Sequence, residues 1–168
     1  MQKLFLLIPG IQPELYHWPV ETGASVGYHS IGISWFDKPA AGGVCYESKW
    51  ATQTGQTDGH NASAAMATCA YHVMLMRLLG KDDPRVPPNA ANFSVDSLNS
   101  ITGRTEALLQ HLVRGGQPQW GQYLNASGKL RWEKVAVAGH SRASGIVAAL
   151  SKVPSIADVA QRMIMVGG

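Results

Sequence analysis

The feature that most constrains the fold is an apolar run, KVAVAG at residues 134–139, that leads within two residues into a segment of small side chains. A short, continuous apolar run is typical of a strand that is buried on both faces of a parallel sheet. The segment that follows, RASGIVAALSKV at 142–153, has the composition of a helix and stops near Pro154. The sequence therefore predicts a buried strand, a tight turn and a helix in direct succession.

Further strands and helices are predicted to alternate along the 168 residues. The other apolar runs predicted to be strands are KLFLLI at 3–8, YHSIGISWF at 28–36 and RMIMV at 162–166. Helices are predicted near 20–26, over 62–80 and over 94–116. This alternation indicates an α/β fold, with a mainly parallel sheet of about four strands flanked by helices.

Composition excludes several classes of protein. The net charge is +3 and the Lys and Arg residues are scattered, which argues against a nucleic-acid partner. No apolar stretch approaches the ~20 residues that span a bilayer, and the first one stops at Pro9 without a signal-peptide cleavage site. The two cysteines, Cys45 and Cys69, fit no metal site and are either a disulfide or two free thiols. The compartment stays open between the cytoplasm and, if a signal precedes this chain, the periplasm or exterior.

The turn after the 134–139 strand has the pattern of a nucleophile elbow, in which a serine sits between a strand and a helix. Here the pattern is G-x-S-x-A, with Gly139 and Ala143 on either side of Ser141. The following helix turns its N–H groups and its positive dipole end toward the serine. The backbone N–H groups of Arg142 and Ile11, the latter in the loop after the first strand, are predicted to hold an oxyanion. Nearby aromatic residues are interpreted as core and loop residues in preference to an acyl pocket: Trp18, Trp35 and Phe36.

The same glycines permit a different interpretation. GHSRASGIVAAL resembles the cofactor turn of short-chain dehydrogenases, with Gly139, Ala143 and Gly145 at the three glycine positions. That turn should follow the first strand of its domain and precede an acidic residue by some 20 positions. Too few residues follow here to complete such a fold, so dinucleotide binding is the weaker alternative. No metal or organic cofactor is implied.

Much of the chain resembles a poorly characterised, mostly bacterial group of α/β-hydrolase-fold proteins. The segments that carry the resemblance are SLNSITGRTEALLQHL, WGQYLNASGKLRWEKVAVAGHS and RMIMVGG. It implies an α/β-hydrolase core with Ser141 as the nucleophile of an esterase-like acyl hydrolase. We expect one α/β-hydrolase-like domain over residues 1–168, incomplete at both ends. The group usually reads Gly-His-Ser-Gln-Gly. In this chain Arg142 stands at the Gln position and Ala143 at the last Gly position.

The acid and the histidine of a hydrolase triad are not found. In this fold they follow the serine along the chain, but after Ser141 there is one acidic residue, Asp158, and none of the six histidines. His140 is expected to point away from Ser141 along the strand and to be a packed core histidine. Two hypotheses remain: a serine hydrolase acting on a small ester or acyl substrate, and an inactive hydrolase-like domain that binds a small apolar ligand or a protein. A sheet with an exposed edge strand also predicts self-association.

Overall fold

The four predicted strands form one parallel sheet in a computed structural model of the chain. The structure describes residues 2–10, 16–35, 38, 41, 44–45, 59–86, 93–160 and 162–167, with backbone alone for 59–65. The strands are β1 (Leu4–Ile8), β2 (His29–Gly32), β3 (Val135–His140) and β4 (Arg162–Val166), in the order β2-β1-β3-β4. The prediction of a parallel α/β sheet with about four strands is confirmed. The narrower prediction of a hydrolase-like core stays a prediction.

The two central strands are the most apolar, as expected for strands with neighbours on both sides. β1 and β3 pair in parallel from Leu4 opposite Val135 to Ile8 opposite Gly139. On one face Leu4, Leu6 and Ile8 are completely buried, together with Val135 and Val137 of β3. This register places the loops after β1 and β3 side by side at the carboxyl edge, where ligand sites of parallel sheets collect.

Five α-helices accompany the sheet in the described part of the chain. They are α1 (His17–Ser25), α2 (Gly59–Leu79), α3 (Ile101–Arg114), α4 (Ser144–Leu150) and α5 (Pro154–Ala157). Short 3-10 segments occupy Pro118–Tyr123, Trp132–Lys134 and Ser141–Ala143. The sequence does not predict the short α5, because Pro154 indicates the end of the preceding helix, whereas proline also suits the first turn of a new one. None of the described helices is both long and apolar enough to cross a membrane.

The predicted start of α3 is wrong by several residues. Residues 94–100 are not helical, and the helix begins at Ile101 because the Ser100 hydroxyl caps it by accepting a hydrogen bond from Gly103 N at 3.0 Å. The buried face of α3 also contains two polar residues. Thr105 donates to the Ile101 carbonyl, and the Glu106 carboxylate accepts from Leu130 N at 3.0 Å, which satisfies both groups inside the protein.

The helices cover the two faces of the sheet unequally. α4 packs on β3 and β4, and α2 packs on α4, so the main core lies on this face. On the other face α1 contacts β2 and β1. Among the described residues no helix covers the part of that face formed by β3 and β4. β4 is an edge strand whose Met165 is 55% exposed.

The two cysteines are joined. Cys45 and Cys69 form a disulfide between two buried residues that are 24 positions apart. Cys69 lies on α2, so the bond ties this long helix to the segment that precedes it. The choice that the sequence left open, a disulfide or two thiols, is therefore resolved in favour of the disulfide.

Candidate active site

Ser141 stands at the carboxyl end of β3 in a conformation that few serines adopt. Its φ is +54°, and within the described residues it is the sole non-glycine residue with a positive φ. L-amino acids disfavour this left-handed region because the Cβ approaches the next carbonyl oxygen. Strain of this kind is found where a turn has to present one side chain. The strand, sharp turn and helix that the sequence predicts around Ser141 are all present.

Close packing across the turn explains the small residues on both sides of Ser141. A Cβ added to Gly139 would overlap the Ala143 carbonyl oxygen and would lie 2.8 Å from Val147 Cγ2. Position 139 therefore has to be glycine. Ala143 is completely buried, so the turn accommodates the methyl group that distinguishes G-x-S-x-A from the glycine form.

The Ser141 carbonyl is held by the first residue of α4. The Ser144 hydroxyl donates to Ser141 O at 2.6 Å, and the Ser144 backbone N–H donates to the same oxygen. Two donors on one carbonyl fix the peptide after Ser141. Ser144 is not among the predicted site residues, although a serine hydroxyl that bonds the carbonyl three residues earlier is a common local motif.

The loop after β1 lies directly against the serine. A Cβ built on Gly10 would be 3.0 Å from Ser141 Cβ, 3.0 Å from the His140 carbonyl oxygen and 3.0 Å from the Tyr16 hydroxyl. The prediction that the loops after β1 and β3 lie side by side is thus confirmed at Gly10. Ile11, the predicted second oxyanion donor, lies outside the described residues, and Arg142 is the first residue after Ser141, within the 3-10 turn.

Trp35 anchors this loop from the end of β2. Its indole N–H donates to the Pro9 carbonyl oxygen at 2.6 Å. The guanidinium carbon of Arg77, a residue that is only 3% exposed, lies 5.2 Å from the Trp35 ring centroid and 4.8 Å from that of Phe93. The sequence interpretation of Trp35 as a core or loop aromatic is confirmed. Phe36 lies outside the described residues.

His140 contacts a tyrosine. Its side chain is half-buried on the sheet face opposite the main core, and His140 Nδ1 lies 2.7 Å from the Tyr16 hydroxyl oxygen. The imidazole points away from the serine turn, as predicted, but the expectation of a packed core histidine is wrong.

The other described histidines lie on elements other than the serine turn, and His17 begins α1 directly after Tyr16. His29 starts β2 at the amino edge and contacts the Tyr123 hydroxyl at 3.0 Å. His72 and His111 lie within α2 and α3, and burial lowers the pKa of His72. The side chain of His60 is outside the described residues. Asp158, the acidic residue after Ser141, is exposed at the end of α5.

An apolar groove runs along the uncovered part of the sheet, beside His140. Its volume is about 420 Å³, and the side chains that line it are mostly aromatic and aliphatic: Phe5, Leu7, Tyr16, Trp18, Ile164 and Val166. Trp18 is 62% exposed at its rim, and Ile164 and Val166 belong to the edge strand β4. The groove therefore presents an apolar surface within one residue of the serine turn.

Comparisons with known proteins add nothing to this geometry. No family model matches the chain, and no curated protein or solved structure matches it either. The class that fold and site define is therefore the general one, a parallel α/β protein with a strained serine at the carboxyl edge of its sheet.

Proposed function

We propose that the chain is a serine hydrolase-like domain whose nucleophile is Ser141 and whose substrate is a small ester or related acyl compound. The observation that carries the proposal is the left-handed conformation of Ser141 between β3 and α4. A nucleophile elbow needs this conformation, because it lifts the serine oxygen above the sheet edge. A serine in an ordinary turn has no need of the strain.

The proposed reaction is acyl transfer to the serine oxygen. Ser141 Oγ attacks the carbonyl carbon, and the carbonyl oxygen acquires a negative charge. The backbone N–H groups of Arg142 and Ile11 are proposed to donate to this oxygen, since both follow strands that end side by side. Two backbone donors at such a position stabilise the transition state by several kcal/mol, about 3–4 for one donor in a well-ordered site. The proposal involves no metal or cofactor.

A fluorophosphonate probe tests the proposal, because it reacts with activated serines and leaves ordinary ones unmodified. We expect covalent labelling of the wild type at Ser141, found by peptide mass spectrometry, and none in Ser141→Ala. Ser151→Ala is the matched control, since Ser151 is an exposed serine at the end of α4, and it should be labelled as the wild type is. Absence of labelling in the wild type would contradict the proposal.

The apolar groove favours a second candidate function, binding of a small apolar ligand without catalysis. Pockets lined by apolar and aromatic side chains with few polar groups are typical of ligand sites. This function predicts saturable binding of a fluorescent fatty acid that is weakened by Trp18→Ala and is unaffected by Ser141→Ala. Binding without labelling of Ser141 would favour this candidate over the hydrolase.

A further inference from the structure

The Tyr16 hydroxyl lies between the serine turn and a histidine. It is 2.7 Å from His140 Nδ1, and it borders the same small space beside Gly10 as Ser141 Cβ. The Tyr16 hydroxyl oxygen and Ser141 Cβ are each 3.0 Å from the position that a Cβ on Gly10 would occupy. These two atoms are therefore no more than twice that distance apart. Because residue 10 is a glycine, no side chain of its own fills this space.

We propose that Tyr16, backed by His140, is the catalytic group that takes the proton from Ser141. The inference rests on the proposed function and deepens it, since the sequence contains no histidine after position 140. His140 cannot reach the serine oxygen itself, because its ring lies on the groove face of the sheet and engages Tyr16. Tyr16 follows β1 in the chain, and its hydroxyl lies between His140 and the serine turn. A base acts within hydrogen-bond reach or through one water.

The proton transfer balances in each half of the reaction. As Ser141 Oγ bonds to the acyl carbon, its proton moves to the Tyr16 oxygen, and the Tyr16 proton moves to His140 Nδ1. The carbonyl electron pair becomes the oxyanion. When this pair returns, the bond to the alkoxide leaving group breaks, and the leaving group takes a proton from Tyr16 while His140 Nδ1 returns one. A water molecule then attacks the acyl-serine by the same route, and Ser141 recovers its proton.

The surroundings of the pair suit this role. His140 and Tyr16 line the apolar groove, and their rings lie 5.2 Å apart at an angle of 56°. The Nδ1 atom accepts the tyrosine proton in the tautomer whose hydrogen is on Nε2. Tyr16 therefore relays the proton. His140 is the positioning residue, which holds the Tyr16 hydroxyl and receives its proton.

The chain provides a matched control. Tyr123 and His29 form a second pair of the same chemistry, with the Tyr123 hydroxyl 3.0 Å from His29 Nδ1. This pair lies at the amino edge of the sheet, because His29 begins β2 and pairs with Leu4 at the start of β1. Tyr16→Phe and Tyr123→Phe therefore make the same chemical change at opposite ends of the same sheet.

The test measures the rate of fluorophosphonate labelling of Ser141 as a function of pH. We expect Tyr16→Phe to label at least about 100-fold more slowly, the scale of a lost general base, and Tyr123→Phe to stay within about twofold of the wild type. His140→Asn retains a side chain that can accept a hydrogen bond but cannot carry the proton. It should slow labelling and remove the rise of the rate with pH that a general base predicts for the wild type.

The possible failures are distinguishable. An unlabelled wild type overturns the proposed function itself. A labelled wild type with an unaffected Tyr16→Phe overturns only the role of Tyr16, and so does an equal loss of rate in Tyr123→Phe. If Tyr16→Phe does not fold, as judged by circular dichroism, His140→Asn decides, because an unchanged pH profile in that variant refutes the relay.

Discussion

Replacing Ser141 by glycine should make the protein more stable while removing its nucleophile. Ser141 has a φ of +54°, and a non-glycine residue in this region costs about 1–2 kcal/mol. Glycine avoids that cost but loses about 0.5–1 kcal/mol more conformational entropy on folding. The difference predicts a net gain of about 0.7 kcal/mol for Ser141→Gly relative to Ser141→Ala, which retains the Cβ.

Thermal unfolding followed by circular dichroism measures this difference. For a chain of this length a change of 1 kcal/mol shifts Tm by about 2–4 °C, so Ser141→Gly should melt roughly 2 °C above Ser141→Ala. Neither variant should be labelled by a fluorophosphonate.

Ser151→Gly is the matched control, because Ser151 has an ordinary φ of −65° at the end of α4. There glycine relieves no strain, and the free energy of unfolding of Ser151→Gly should be about 0.5–1 kcal/mol lower than that of Ser151→Ala. The opposite signs at the two positions are the decisive result. If Ser141→Gly is no more stable than Ser141→Ala, Ser141 is not strained and the argument for an elbow is refuted.

Four other expectations concern the turn, the disulfide, a buried tyrosine and the edge strand. Gly139→Ala should destabilise the protein by at least about 1–3 kcal/mol in urea unfolding, because its Cβ would overlap a backbone carbonyl; a neutral result would contradict the close packing of the turn. Reduction of Cys45–Cys69, which closes a loop of 24 residues, should cost about 3.5 kcal/mol by loop entropy and lower Tm in dithiothreitol, whereas an unchanged Tm would argue against the bond. Burial raises the pKa of Tyr123 from 10.0 to about 12; its contribution to stability is present below pH 10 and is lost between pH 10 and pH 12, because the unfolded chain releases the proton first. The stability of Tyr123→Phe should fall less over that range, and parallel curves would disprove the assignment. Met165→Lys, on the edge strand, should reduce self-association in light scattering; a wild type that is already monomeric at high concentration would refute that expectation.

Local features were predictable where neighbouring residues decide them. The run KVAVAG and the small residues after it predict a strand, a turn and a helix, and these are β3, the Ser141–Ala143 turn and α4. The start of α3 was misjudged, because apolar periodicity does not reveal which of several serines caps the helix. The burial of Glu106 is not visible in the sequence, since its partner Leu130 N is 24 residues away and is brought to it only by the fold.

The candidate site was predictable at its centre and not at its periphery. Ser141 was identified from the pattern around it, which is local. The role of Tyr16 is not predictable from its neighbours, because its partner His140 is 124 positions away. The bond from Trp35 to the Pro9 carbonyl is not predictable either, since it depends on how β2 lies beside β1.

The sequence by itself thus determined the elements and their alternation, because hydrophobic period, glycine and proline act over a few residues. It also placed a serine between a buried strand and a helix. The tertiary structure alone decided the order β2-β1-β3-β4, the pairing of Cys45 with Cys69 and the contact of Tyr16 with His140. These depend on which distant segments meet. The left-handed Ser141 belongs to the same group, because only packing between β3 and α4 can hold a side-chain residue in a conformation that its own backbone disfavours.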